Sequence, residues 1–274
     1  MSSKLFISAD MEGLACVSHW DETNKAHPGD YEPARQQMTA EVAAACEGAY
    51  GAGVGTVVVK DSHWTGRNLD AHKLAAPEGR SLRLVRGWSG HPYSMVQGLD
   101  ESFEALAFVG YHSGAGRGGN PLAHTMSFSR LARVELNDAL ASEFLIFSYA
   151  AALSKVRVTF LSGDDALCRE AEGLVEGIVT VATFHGQGPS ITSMIPSEAV
   201  SCIREGVARA VSGKAGRVLP LPAEFNLKIT FTSGAEAYRK SFYPGARLLS
   251  DTQVEFDSAR YFEILRFLGF MTMI

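Results

Sequence analysis

Carboxylate and imidazole side chains follow three separate apolar runs of the sequence. Asp10 and Glu12 come directly after the first run, and alternate residues of an extended chain point to the same side. Two like charges this close favour a cation between them, although a solvated turn before a helix would also hold two acids. His63 and His112 follow the second and third runs. This mixture of ligands suits zinc, and also manganese or iron, better than calcium, which prefers oxygen alone.

Three further residues belong to the same set of candidates. Asp61 lies beside His63, and His124 lies in the polar stretch after His112, although a single histidine in such a place is more often an ordinary loop residue. Glu143 is the only charged residue in an apolar stretch that predicts a buried helix with Asp138 as its N-cap. A buried carboxylate needs a metal, an arginine or a hydrogen-bond network beside it, and we expect a metal.

The elements that must position these side chains have the pattern of buried parallel strands. Four apolar runs rich in β-branched residues are each followed at once by small and polar residues: Lys4–Ala9, Val57–Val59, Ala105–Val109 and Val156–Leu161. A helix is predicted from Tyr31 to Tyr50, with Asp30 as N-cap. Strands alternating with helices predict an α/β fold, a mostly parallel sheet with helices on both faces. Ligands of such sheets bind at the carboxyl ends of the strands, where the candidate residues lie.

A second region is predicted to begin after Gly177. Its strands alternate more strongly between apolar and polar residues, and its helices lie near Ser197–Val211 and Ser258–Phe267. We therefore predict two domains, an α/β metal-binding catalytic domain over residues 1–177 and a smaller α+β domain over residues 178–274.

Composition excludes several classes of function. The net charge is −5 and the lysines and arginines are scattered, so we expect no nucleic-acid partner. No apolar run is long enough for a membrane span, and the N-terminus has no pattern of a cleaved signal. The four cysteines lie far apart without metal-finger spacing, which favours small buried thiols in a reducing compartment. We expect a cytoplasmic protein.

Rival catalytic motifs are weak. Gly114–Gly119 matches the glycine spacing of a dinucleotide-binding turn, but Asn120 and Pro121 follow where a helix should open. No GxSxG motif is present, and Cys16 lacks the positive surroundings of a reactive thiolate. The remaining histidines are expected to be surface or packing residues: His19, His27, His72, His91 and His185.

Several short motifs together resemble one known family, the M55 metallopeptidases, which are D-aminopeptidases. The motifs are SADMEG at Ser8–Gly13, KDSH at Lys60–His63, GYHS at Gly110–Ser113, AHTMS at Ala123–Ser127, Glu143 in its helix, and GDD at Gly163–Asp165. They run through most of the first two-thirds of the chain, and the last third matches more loosely.

The resemblance implies a centre of two zinc ions. In it Asp10 bridges the ions, Glu12 and His63 complete one site, and His112 and Glu143 complete the other. His124 would be the catalytic residue, proposed in the family as a nucleophile. The resemblance also implies a Rossmann-like first domain, a smaller second domain and a ring-shaped homodecamer with an internal chamber.

One departure from the family pattern concerns the residues around Glu143. The family usually has glycine and small polar residues there, whereas Ser142 and Phe144 flank the glutamate in this chain. The predicted zinc ligand is kept, but the pocket wall beside it is changed.

The predicted function is a binuclear-zinc aminopeptidase that hydrolyses the N-terminal amide bond of short peptides, with D-specificity implied by the resemblance. A zinc amidohydrolase acting on a lactam or a non-peptide amide is the alternative within metal catalysis. Two other classes remain, a nucleotide-binding oxidoreductase that uses Gly114–Gly119 and a metal-stabilised subunit without catalytic activity.

Overall fold

The structure is a computed structural model that describes residues 3–273. Its helices are α1 (Trp20–Thr23), α2 (Pro28–Gly51), α3 (Glu143–Leu153), α4 (Asp165–Leu174), α5 (Pro196–Ser212), α6 (Gly234–Lys240) and α7 (Tyr261–Met273). Its strands are β1 (Lys4–Ala9), β2 (Thr56–Asp61), β3 (Ser81–Val85), β4 (Ala105–Tyr111), β5 (Leu131–Leu136), β6 (Ala139–Leu140), β7 (Arg157–Asp164), β8 (Val179–Gln187), β9 (Ser190–Ser193), β10 (Phe225–Phe231), β11 (Arg247–Leu248) and β12 (Gln253–Ser258).

The larger sheet has seven strands in the order β3-β2-β1-β4-β7-β8-β9. All its neighbours pair in parallel except β9, which pairs antiparallel with β8. The strand order reverses between β1 and β4, and a crevice for ligands forms at the carboxyl ends of the strands at such a point. Ala9 stands opposite both Asp61 of β2 and Val109 of β4, so β1 and β2 end level with one another and β4 continues to Tyr111.

Helices cover both faces of this sheet. On one face α2 and α5 pack together over a core that includes Val42, Ile203 and Val207. On the other face α3 and α4 share a second core with α7 and with a five-stranded antiparallel sheet in the order β11-β12-β10-β5-β6. The predicted fold class, a mostly parallel α/β sheet accompanied by an α+β part, is confirmed.

Strand pairing does not follow the predicted division of the chain. β8 and β9, from the predicted second region, complete the larger sheet, whereas β5 and β6, from the first, enter the smaller sheet. The reason is that β8 pairs in parallel with β7, beginning where Val179 lies opposite Phe160. Local sequence patterns do not indicate which strand pairs with which. Whether residues 1–177 and 178–274 are separate domains stays a prediction.

Two helix starts differ from those predicted. Helix α2 begins earlier, at Pro28 after His27, because the fixed φ of proline suits the first helical position. Helix α3 begins later, at Glu143, where the Ser142 hydroxyl accepts a hydrogen bond from the backbone N–H of Leu145. The predicted cap, Asp138, instead lies in the tight turn between β5 and β6 with a φ of 63°.

Two predictions drawn from composition concern the burial of the cysteines and the absence of a membrane span. Cys46 and Cys168 are buried, but Cys16 is exposed and Cys202 is half-buried, so the prediction that every thiol is buried is wrong. Within residues 3–273, no helix combines the length and apolar character that a membrane span requires.

Candidate metal centre

The carboxyl ends of three adjacent strands bring the predicted ligands together. Asp10 and Glu12 follow β1, His63 follows β2 and His112 follows β4, so these side chains meet where the strand order reverses. Glu143 joins them as the first residue of α3. The side chains of these five residues are between 0% and 5% exposed, and His124 in the neighbouring loop is 12% exposed. The structure thus places all six predicted site residues in one buried cluster.

Two glycines allow the loop after β1 to lie directly against the end of β4. A Cβ added at Gly13 would lie 1.7 Å from the carbonyl oxygen of Tyr111, closer than any side chain can come. Gly110 has a φ of 72°, and its own added Cβ would meet the Asp10 carbonyl oxygen at 2.4 Å. Close backbone approach therefore explains the glycines of the SADMEG and GYHS motifs.

Asp10 lies between the two groups of predicted ligands. On one side, Nδ1 of His63 is 3.2 Å from Asp10 Oδ1 and 3.1 Å from Glu12 Oε2. On the other, Nε2 of His112 is 3.6 Å from Asp10 Oδ2 and 3.6 Å from Glu143 Oε2. One carboxylate oxygen faces each histidine, as a carboxylate that bridges two ions requires.

Each imidazole of the cluster has one ring nitrogen at a backbone carbonyl. Nε2 of His63 lies 2.9 Å from the carbonyl oxygen of Thr23, Nδ1 of His112 lies 3.0 Å from that of Ser113, and Nδ1 of His124 lies 3.0 Å from that of Leu122. An N–H donated to a carbonyl selects the tautomer whose other nitrogen has a free lone pair. The free nitrogen of each ring then faces the carboxylates, as in histidines that bind metals.

Unsatisfied polar atoms test whether a metal would fit. Within the part of the chain that the structure describes, no hydrogen bond of good geometry reaches Glu12 Oε2 or His112 Nε2, although both atoms are buried. Buried polar atoms are rarely left without a partner, because their desolvation is uncompensated. A cation at each of the two predicted sites would satisfy them, so the donor set fits metal ions.

The pKa shifts in the cluster likewise indicate that its buried carboxylates need a positive charge beside them. Burial, together with the charge of Glu12, raises the pKa of Asp10 well above its ordinary value. Burial would also raise the pKa of Glu12, but the charge of the neighbouring His63 outweighs it and holds that pKa well below its ordinary value. The pKa of His63 is raised well above its ordinary value, because Glu12 and Asp10 overcome the effect of burial.

His124 differs from the other histidines of the cluster. Its ring stacks on that of His112, with 4.3 Å between centroids and 10° between planes. Burial and the neighbouring His112 lower the pKa of His124, which favours the neutral imidazole. Its Nε2 is 3.9 Å from Glu143 Oε1, and the residue lines an open cavity of about 630 Å³. A neutral imidazole at the cavity wall can accept or transfer a proton.

Other residues considered from the sequence lie outside the cluster. Asp61 accepts hydrogen bonds from the backbone N–H groups of Asn68 and Leu69, which gives it a structural role. The remaining histidines are all exposed, which confirms them as surface residues: His19, His27, His72, His91 and His185. Gly114–Gly119 is followed by turns, so it presents no helix N-terminus to a phosphate, and the nucleotide-binding alternative has no structural support.

Sequence reasoning missed the residues that support the cluster. Asp164 accepts hydrogen bonds from the backbone N–H and the hydroxyl of Ser113, at 2.6 Å each, and from the side-chain amide of Asn120. The same amide also donates to the Glu12 carbonyl oxygen at 3.0 Å. Asp164 thereby holds the loops that carry His112 and Glu12, and the GDD motif was its only signal in the sequence.

Comparison with known proteins agrees with this geometry. The family model for the M55 peptidases, described as D-aminopeptidase, matches residues 3–270. A D-aminopeptidase of Bacillus subtilis (strain 168) is 31% identical in an alignment 273 residues long that covers 98% of this chain and 96% of the relative. A solved structure, the Zn-dependent D-aminopeptidase DppA from Bacillus subtilis, a self-compartmentalizing protease, superposes with a TM-score of 0.90 at 29% identity, over 98% of this chain and 96% of that chain. The resemblance drawn from the motifs is therefore confirmed, and this chain belongs to the M55 family of D-aminopeptidases.

Proposed function

We propose that the chain is a binuclear-zinc aminopeptidase that removes the N-terminal residue of short peptides. Asp10 would bridge the two zinc ions, Glu12 and His63 would complete one site, and His112 and Glu143 would complete the other. The observation that carries this proposal is the orientation of the imidazoles, each tied at one nitrogen to a backbone carbonyl while the other faces buried carboxylates.

The chemistry divides between the ions and the side chains. Two bound zinc ions would supply Lewis-acid polarisation of the scissile carbonyl and of the attacking water. Hydrolysis forms a new C–O bond, breaks the C–N bond and requires a proton on the leaving nitrogen. His124 is placed to carry that proton, because its Nδ1 and not its Nε2 lies at the Leu122 carbonyl oxygen and the residue lines the cavity.

The relatives support three further parts of the proposal. Both are D-aminopeptidases, so we extend preference for D-residues to this chain. The solved relative is a self-compartmentalizing protease, which supports a homo-oligomer with an internal chamber, and we propose a homodecamer. We also propose a cytoplasmic location, because an enclosed chamber would confine peptide hydrolysis inside a cell.

The test combines metal analysis with a substrate screen. The purified chain, reconstituted with zinc, is assayed on aminoacyl p-nitroanilides and short peptides of both chiralities. We expect about two zinc ions per chain and turnover of the D-substrates. His124→Ala should keep its zinc and lose activity by at least about 100-fold.

Different failures point to different alternatives. Hydrolysis of lactams but not of peptides would support the amidohydrolase. Bound zinc without hydrolysis of any amide would support the non-catalytic subunit, and a fully active His124→Ala variant would remove this residue from the mechanism.

A further inference from the structure

All three tryptophans of the chain line the cavity beside the metal centre. They are Trp20, Trp64 and Trp88, and Phe128 joins them. Trp64 is 53% exposed and Phe128 is 50% exposed, so much of their ring surface is open to a ligand. Single aromatic rings scattered over a protein surface are common and need no explanation. Several exposed rings gathered around one concave site are instead typical of ligand recognition.

Two of these rings form a wall next to His124. The Trp20 ring stacks on that of Phe128, with 4.3 Å between centroids and 26° between planes. The Trp20 ring also meets the His124 ring edge-on, with centroids 5.4 Å apart. The side chain of a substrate residue bound at the metal centre would therefore lie within reach of this stacked pair.

The other two rings form a wall on the side of His63. The indole N–H of Trp88 donates to the carbonyl oxygen of Trp64 at 2.7 Å. Lys60 Nζ lies 4.0 Å from the centroid of the Trp88 ring, a cation–π contact that holds the ring in place. These contacts fix the Trp88 ring, and the Trp64 ring meets that of His63 edge-on, with centroids 6.4 Å apart.

Apart from the proposed metal ligands, the described part of the chain gives the wall of the cavity no acidic or basic side chain other than His124. Among residues 3–273, no lysine or arginine lines it, and its three acids, Asp10, Glu12 and Glu143, are all proposed zinc ligands. Lys60 is fully buried, and its ammonium group donates to the carbonyl oxygens of Asp61 and Gly87. A substrate carboxylate that lies beyond the metal ions would therefore lose its hydration without gaining a cationic side chain as partner.

We propose that the cavity selects an aromatic or large aliphatic side chain on the N-terminal residue, and a neutral group after the scissile bond. The preferred substrates are then short peptides that start with such a residue and have an amide or further residues beyond it, with no free carboxylate close to the scissile bond. This inference rests on the proposed aminopeptidase activity and names its substrate class.

The first arm of the test measures turnover with the zinc enzyme. Amides of D-phenylalanine, D-leucine, D-alanine and D-aspartate are compared, together with the dipeptide D-Phe-D-Ala and its C-terminal amide. We expect kcat/KM for the phenylalanine amide to exceed that for the alanine amide by at least about tenfold, mainly through KM. The blocked dipeptide should exceed the free dipeptide by at least about tenfold as well.

The second arm measures binding without turnover. D-Phenylalaninol and D-alaninol have the amine and the side chain but no amide bond, and their binding is followed by tryptophan fluorescence, which reports only the cavity because every tryptophan lines it. Trp20→Ala and Phe128→Ala should reduce the preference for phenylalaninol several-fold, whereas Trp20→Phe should keep it. Phe242→Ala is the matched control, because this ring is 70% exposed and lies outside the cavity.

The two arms separate failure of the inference from failure of the proposed function. If phenylalaninol and alaninol bind equally well, or if the alanine amide is turned over as fast as the phenylalanine amide, the inference is overturned while the aminopeptidase stands. If no amide is hydrolysed but phenylalaninol binds at least about tenfold more tightly, the selectivity of the cavity holds and the aminopeptidase proposal fails.

Discussion

At the centre of the site, the distances between carboxylate oxygens and histidine nitrogens indicate which residue would bridge the two ions. The two oxygens of Asp10 face different histidines, at 3.2 Å from His63 and 3.6 Å from His112. Of these two rings, Glu12 comes within 4 Å only of His63 and Glu143 only of His112, although an oxygen of Glu12 lies within 4.8 Å of a His112 nitrogen. This asymmetry separates the proposed bridging ligand from those of a single ion, and it can be tested without solving a metal-bound structure.

We predict that Asp10→Asn loses both zinc ions. The substitution keeps the size of the side chain but removes the negative charge between two cations, so that their repulsion is no longer screened. Zinc affinity should fall by more than about 100-fold, since even the loss of a hydrogen bond to a metal ligand costs about 10- to 100-fold. Metal content after dialysis is the measurement, with Glu12→Gln as the comparison that should lose one ion. Full occupancy in Asp10→Asn would disprove the bridging role.

At the scale of elements, the site depends on how closely the loop after β1 approaches the end of β4. The backbone N–H of Gly13 donates to the Gly110 carbonyl oxygen at 2.9 Å, and that of Asp10 donates to the Val109 carbonyl oxygen at 2.8 Å. These bonds extend the pairing of β1 and β4 beyond the strands themselves. They place the two acids beside His112.

Gly13→Ala is therefore expected to damage the metal centre without changing any ligand. The added methyl group would lie 1.7 Å from the Tyr111 carbonyl oxygen, so the loop must move away from β4. We expect a loss of about 3 kcal/mol in the free energy of unfolding and weaker zinc binding. Gly51→Ala is the control, because a Cβ there meets no atom within 4 Å. Equal zinc affinity in both variants would show that the approach is not tight.

The same loop is held from helix α2 by a buried acid. Glu41 is fully buried, and its Oε1 accepts hydrogen bonds from the backbone N–H of Ala15 and from the side-chain amide of Gln37. Burial raises the pKa of Glu41 from 4.5 to about 7, although both hydrogen bonds oppose the shift. The folded protein therefore holds this proton at pH values at which the unfolded chain has released it.

This shift predicts how stability changes with pH. The contribution of Glu41 is fully present below about pH 4.5 and is lost as the pH rises through 7, a change on the order of 3 kcal/mol. Glu41→Gln keeps an oxygen for Ala15 but cannot ionise, so its stability relative to the unmodified chain should rise by that amount between pH 4.5 and 8. Urea unfolding with a chelator present removes the contribution of bound metal. A difference that stays constant with pH would contradict the shift.

For the whole molecule, metal binding and folding stability should be one equilibrium. The predicted ligands come from β1, β2, β4 and α3, so bound zinc would link elements far apart in the sequence. A ligand at about 1,000 times its dissociation constant stabilises the folded state by about 4 kcal/mol. Chelation should therefore lower the melting temperature by several degrees. An unchanged melting temperature after complete removal of zinc would contradict this prediction.

Glu143→Gln tests which residue couples metal to stability. Burial raises the pKa of Glu143, and its Oε1 accepts a hydrogen bond from the Met126 backbone N–H at 2.6 Å, which a glutamine carbonyl can also accept. We expect the variant to show a smaller zinc-dependent shift in melting temperature and to be at least as stable as the unmodified chain once zinc is removed. Metal content is measured alongside. A larger shift in the variant would exclude Glu143 from the ligands.

The amino-acid sequence by itself determined those features of this protein that depend only on residues adjacent in the sequence, namely individual strands and the candidate ligands at their ends. Apolar runs closed by polar residues identified β1, β2, β4 and β7, because burial on both faces and an abrupt end are local properties of a parallel strand. The same runs placed Asp10, Glu12, His63 and His112 at strand ends, and the lone charge of an apolar segment identified Glu143.

Only the tertiary structure decided which of these elements meet. The position of β1 between β2 and β4, the entry of β8 into the larger sheet and of β5 into the smaller one, and the gathering of all three tryptophans around one cavity depend on contacts between distant residues. The hairpin turn at Asp138, with its positive φ, likewise formed where the apolar pattern predicted a helix, since pairing of β5 with β10 outweighed local propensity. The physical reason is that hydrophobic burial and strand pairing are shared between elements, so that a local pattern specifies an element but not its partner.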